Sequence, residues 1–142
     1  MKYILLLPLI FMFLACQDKT QSNGVSEMHW DRDMCSRCVM VISDRKNSLQ
    51  VQDPTSNKVY KFDDIGCMLI WLEESKQELM LDAKIWVTDA HTGEWCDARN
   101  AYYTTGNVTP MGFGYSAYKS KENIDKTKDV ISFSEVYKQI KK

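Results

Sequence analysis

Histidine is nearly missing: the 142 residues contain two, His29 and His91. That leaves little for general-base catalysis, and neither a Ser/His/Asp arrangement nor a phosphate-cradling glycine loop is visible. The chain is therefore expected not to be an enzyme. A surplus of charge is missing as well, with 18 basic residues against 19 acidic ones. Nucleic acids, which are bound through a cationic excess, are excluded as partners on that ground. Beyond the first fifteen residues there is no second long apolar run, which excludes a further helical membrane span. A chain of 142 residues is long enough for one compact domain or two very small ones.

The one apolar run lies at the start. Lys2 is followed by uncharged residues from Tyr3 to Ala15, and polarity returns at Gln17-Asp18-Lys19. About thirteen residues are too few to cross a bilayer core, which takes ~20. Residues 1–15 therefore read as a signal peptide. Ala15-Cys16 resembles the lipobox of bacterial lipoproteins, in which the cysteine is lipidated and becomes the mature N-terminus; Phe13 stands where Leu is usual. Ordinary cleavage and a soluble secreted protein is the plainer alternative. Losing the leader removes Lys2 alone, so 17 basic residues then face the 19 acidic ones. Residues 16–27, polar and without periodicity, read as the lipidated cysteine and a flexible tether. The expected location is outside the cytoplasm, anchored to a membrane and facing the periplasm, the outer membrane ahead of the inner.

What the chain does have is sulfur. Within Met28–Met40 stand two cysteines, three methionines and one histidine. Soft thiolate and thioether ligands suit Cu(I), whereas Mg²⁺ and Ca²⁺ prefer oxygen. Cys35-Ser36-Arg37-Cys38 has the spacing that lets two sulfurs face one point. Four readings compete. Exported thiols pair readily, so a structural disulfide is open. A thioredoxin-like pair would sit between a strand and a helix, yet here a strand candidate follows the motif. A zinc site could use Cys35, Cys38, Cys67 and Cys96, although the last two do not form a second close pair. A Cu(I) site is favoured by the methionines, since zinc does not recruit thioethers. Met28, Met34, Met40, Met68 and Met111 lie near a cysteine or in a Gly/Pro loop; core filling is the bland alternative, above all for Met40 and Met68.

The coarse reading is α+β. Val39–Ile42, Leu49–Gln52 and Val59–Phe62 look like strands of a small antiparallel meander, the first of them buried. Asp63-Asp64 offers an N-cap, and apolar residues at 65, 68, 69 and 72 predict a helix from Ile65 to about Ser75. Cys67 falls in its first turn, where a thiolate is favoured. Lys84–Thr88, Ala101–Thr104, Tyr115–Tyr118 and Val130–Phe133 read as further strands, with a short C-terminal helix opening at Ser134. The order strand, strand, helix, strand suggests two ββαβ units, residues 28–90 and 91–142. Gly106–Gly114 is a loop rich in Gly and Pro, where Met111 cannot be explained by a core stripe.

Asp33–Asp44, Phe62-Asp63-Asp64-Ile65-Gly66-Cys67-Met68, Gly93-Glu94-Trp95 with Asp97-Ala98, and Thr109–Gly114, in this order, resemble the NosL family of nitrous oxide reductase accessory lipoproteins. The resemblance implies two ββαβ units and a Cu(I) carrier, with nitrous oxide reductase and an ABC-type maturation machinery as partners. It assigns the copper ligands to a cysteine of the first motif, Cys35 or Cys38, and to Met111. Cys67 and Met40 complete the candidate list. Two departures stand out: the family more often has Gly at the place of Val39 and lacks a cysteine at the place of Cys96, which counts against the four-cysteine site. The expected mechanism is a low-coordinate Cu(I) held by one or two thiolates and a weak thioether, open to an acceptor's ligand. The rivals are an exported thiol–disulfide or methionine-sulfoxide-related enzyme using Cys35 and Cys38, and a lipoprotein stabilised by disulfides or zinc.

Overall fold

A computed structural model describes residues 24–142. The signal peptide, the lipidation at Cys16 and most of the tether fall outside the described residues. The end of the stretch read as tether is packed: Val25 is fully buried, and the Gln50 amide both accepts from Ser26 N–H and donates to its carbonyl.

The architecture is α+β. Strands β1 (Leu49–Gln52) and β2 (Val59–Phe62) lead into helix α1 (Ile65–Ser75). A one-turn helix α2 (Leu79–Asp82) and strand β3 (Lys84–Thr88) follow, completing a ββαβ unit. Then come β4 (Trp95–Asp97), β5 (Tyr102–Thr104), β6 (Ser116–Tyr118), a 3₁₀ turn at Lys121–Asn123 and α3 (Phe133–Ile140). The main sheet has the order β2-β1-β3-β4, antiparallel throughout, and β5 pairs with β6 in a separate hairpin. Strand β4, from the second of the two expected units, thus adds to the sheet of the first.

The sequence explains the central elements. β1 lies between two strands, so both its edges are paired, and both its faces are covered too: Leu49 and Val51 are fully buried and Gln50 nearly so. The Gln50 amide is tolerable there only because Ser26 satisfies it. In α1 the expected apolar face is observed, with Ile65, Met68, Leu69 and Leu72 buried. Asp64 caps it by accepting from Gly66 N–H, and the helix stops at Lys76. Trp71 on this helix packs against Tyr60 and Phe62 of β2, with ring centroids 4.5 and 5.2 Å away. Helix α3 starts one residue earlier than expected, on a capping box made by Ser132 and Glu135.

Two expected strands are not formed. Val39–Ile42 is not a buried strand: only Val41 makes a bridge, to Met34, and Val39, Met40 and Val41 are at least half exposed. The reason lies in the backbone. Val39 has φ +62°, and its N–H donates to the Cys35 carbonyl while Cys35 N–H donates to Met40, which closes the chain into turns. Val130–Phe133 is likewise reduced to one bridge, Ile131 to Tyr103, because the capping box claims Ser132 for the helix.

A β-branched residue in the left-handed region is strained, at about 1–2 kcal/mol for an ordinary side chain. Val39→Gly is therefore expected to raise the stability of the reduced chain by about 1 kcal/mol. Urea unfolding should show a higher midpoint with an unchanged slope; an equal or lower midpoint would show that the turn accommodates Val39 without strain.

Candidate metal centre

Two segments meet at the start of α1. The Cys35–Cys38 turn hangs from the outer edge of β2: Ser36 N–H donates to the Lys61 carbonyl (2.8 Å), and Lys61 N–H donates to Ser36 Oγ (3.2 Å). The Lys61 ammonium reinforces this by reaching the Asp33 carboxylate (2.6 Å) and the Glu27 carbonyl (2.7 Å). The second segment is the β2–α1 junction, which carries Asp63 and then Cys67. The sulfurs of Cys35, Cys38 and Cys67 and a carboxylate oxygen of Asp63 all lie within 4.8 Å of one another. Cys35, Asp63 and Cys67 are buried and Cys38 is half-buried, so the cluster meets solvent on the Cys38 side.

The electrostatics single out Cys35. A hydrogen bond from Cys67 holds the Cys35 thiol down to about 4, with backbone N–H groups of Cys38, Arg37 and Asp63 adding to it against the effect of burial. That same hydrogen bond and burial push the Cys67 thiol up. The sequence expectation is thereby reversed. The helix start does not make Cys67 the thiolate, because Cys67 serves as the donor and the backbone amides gather on Cys35. Burial also pushes Cys38 up, and burial with the neighbouring Cys35 thiolate raises Asp63 to about 6. The compensating cation is Arg37, whose guanidinium interacts with Glu74 (3.4 Å) and Cys67.

Met111 comes in on a separate loop, and Asp64 holds it. The buried Asp64 carboxylate accepts from Thr109 Oγ1 (2.7 Å), Met111 N–H (3.1 Å) and Gly66 N–H (3.1 Å). Phe113 lies directly on the Cα of Gly66, where no Cβ would fit. The loop is thus fastened to Asp64 and Gly66, just before Cys67, with Met111 half-buried against the core.

The other sulfurs are placed elsewhere. The carbonyl of Met40 accepts from Cys35 N–H, but its side chain is half exposed, as is that of Met34. Met28 and Met68 are core residues. His29 N–H is bound to Asp33, outside the cluster. Cys96 is buried in β4 with its thiol pushed up to about 11 by burial, and it is not in the cluster. The four-cysteine arrangement is therefore corrected: the fourth donor beside Cys35, Cys38 and Cys67 is Asp63. All four described cysteines are unpaired. Sequence reasoning gave Asp63 only a capping role. The available signal was the doublet itself, since one helix N-terminus needs one cap.

Three thiols and a carboxylate so disposed can hold a soft or borderline metal ion. The NosL family model matches residues 27–135. Among solved structures, the crystal structure of the copper chaperone NosL from Shewanella denitrificans is similar, with a TM-score of 0.62 and 18% identity. The similarity covers 78% of this chain and 94% of that one, and at such identity it speaks for the fold. No curated protein matches the sequence.

Two outcomes test this geometry. In the reduced, metal-free chain at neutral pH, one thiolate should be visible by its ultraviolet absorption and be lost as the pH falls through about 4. Cys35→Ser should remove that signal; its persistence would place the charge on another sulfur. Gly66→Ala should lower stability by about 1–3 kcal/mol despite alanine's better helix propensity, because the Phe113 ring has to leave. Faster amide exchange at Met111 would report the loosened loop.

Proposed function

The chain belongs to the NosL family, and on that premise we propose that it is a Cu(I) carrier rather than an enzyme. The observation that carries this reading is the convergence of three thiols on one half-open point beside the Met111 loop. Soft sulfur ligands favour Cu(I), and a low coordination number leaves room for an acceptor's ligand. Cys35, already a thiolate, would receive the ion first. Cys38 and Cys67 give up their protons as the ion binds, since metal binding displaces protons from thiols. Met111 adds a weak thioether from a loop that is fixed at its backbone. The exposed Met34 and Met40 stand near the Cys38 edge in sequence and offer soft contacts on the way in or out.

The further elements of the reading come from the family. The chain would be exported, lipid-anchored through Cys16 and held facing the periplasm, on the outer membrane in preference to the inner. It would deliver copper to nitrous oxide reductase through an ABC-type maturation machinery. The similar protein from Shewanella denitrificans is a copper chaperone, which supports the cargo.

Anaerobic competition against a Cu(I)-specific chelator tests the proposal. Met111→Ala should weaken Cu(I) retention about tenfold, or about 1.4 kcal/mol, with unchanged circular dichroism. Cys35→Ser and Cys38→Ser should each lower it further. Full retention in both cysteine variants would overturn the assignment, and turnover of disulfide substrates by the parent would favour a redox enzyme instead.

A further inference from the structure

We propose that the same cluster is also a complete four-ligand site for a divalent borderline ion, zinc, and that Asp63 is the residue that admits it. Zinc accepts sulfur and oxygen together in tetrahedral sites, with Zn–S near ~2.3 Å and Zn–O near ~2.0–2.2 Å. Those bond lengths put a thiolate and a carboxylate oxygen about 3.5 Å apart on one ion. Cys38 Sγ stands 3.6 Å from one Asp63 oxygen and 3.8 Å from the other. Cys35 and Cys67 supply the other two corners, inside the same 4.8 Å sphere.

Charge points the same way. Three thiols and a carboxylate are gathered where three of the four residues are buried, and the cation that faces them, Arg37, is shared with Glu74 on the Cys67 side. Buried acidic groups are normally paired or coordinate a metal. A divalent ion between Cys38 and Asp63 supplies the positive charge that this side of the cluster lacks. Cu(I) does not need the carboxylate, because it is soft and monovalent and prefers sulfur. Asp63 thus separates the two ions: a ligand to zinc, a bystander to Cu(I). A site with four protein ligands is closed, without the open position that exchange requires. Zinc is then a competitor that locks the carrier. The inference shares the site of the proposed function but does not require copper to bind.

The test uses the full chain, reduced and metal-free, with Co²⁺ and Zn²⁺ as probes. One equivalent of Co²⁺ should give intense thiolate charge-transfer bands with tetrahedral d–d bands, displaced by one equivalent of Zn²⁺. Asp63→Asn should lower zinc affinity at least about tenfold, and by a larger factor than it lowers Cu(I) affinity. Asp63→Cys, which keeps a fourth ligand, should retain zinc and shift the Co²⁺ bands toward a four-sulfur spectrum; it guards against a fold defect in the first variant. Weak octahedral Co²⁺ bands, or zinc affinity unchanged in Asp63→Asn, would overturn the proposal. A parent that binds zinc but not Cu(I) would sink the carrier reading and leave this one standing.

Discussion

The carboxylate of Asp64 is the point through which the rest of the site is built. It is almost wholly buried, and burial alone would drive it toward the neutral form. It is retained because it accepts from three separate donors: the Gly66 amide of the helix start, the Thr109 hydroxyl and the Met111 amide. One group therefore caps α1 and fastens a loop more than forty residues away in sequence. Replacing it with a neutral, non-accepting side chain would leave buried donors without partners, which costs more than the loss of a single hydrogen bond. The Asp64 carboxylate thus links the Met111 loop directly to the start of the helix that carries Cys67.

Its neighbour does a different job for a geometric reason. Asp64 has an extended backbone, and successive side chains on extended chain point to opposite sides. With Asp64 turned toward the loop, Asp63 is turned toward the Cys35–Cys38 turn. The doublet thus serves two layers of structure at once. Gly66 completes the arrangement, since the absence of a side chain there lets Phe113 close over the helix start. The helix N-terminus, the loop and the thiol turn are three pieces held in register by four consecutive positions, Asp63 to Gly66.

Much of the scaffold was legible from periodicity. Leu49–Gln52 alternates, Val59–Phe62 has strand composition, and the apolar spacing at 65, 68, 69 and 72 placed α1 from about Ile65 to about Ser75. Lys84–Thr88 was equally clear. The failures share a cause, which is that local preference was overruled by hydrogen bonds to distant chain. Val39-Met40-Val41-Ile42 has strand composition, but the Cys35 turn and its ties to Lys61 demand a left-handed residue at 39. The Gly that the family resemblance leads one to expect at that place was the one available clue. Cys67 looked like the thiolate because helix geometry is local, whereas the amides of Arg37, Cys38 and Asp63 that favour Cys35 only gather in the folded chain. Asp63 escaped notice because capping accounts for one aspartate and nothing local distinguishes the two.

A carrier has to reconcile tight holding with release, and the burial pattern bears on how one site could do both. Cys35 and Cys67 are covered and hydrogen-bonded to each other, so an ion taken up there would be desolvated. Cys38 is partly open, and the residues beyond it, Val39 to Val41, are exposed and apolar. An acceptor approaching from that side meets the most accessible sulfur first, and its own ligand can enter before the inner pair lets go. The strained Val39 sits on this edge and ties it to the inner thiol, since its N–H donates to the Cys35 carbonyl. Under the proposed function, retention belongs to the inner pair and exchange to the outer thiol, a division that follows from burial and from the hydrogen bonds that make Cys35 the thiolate.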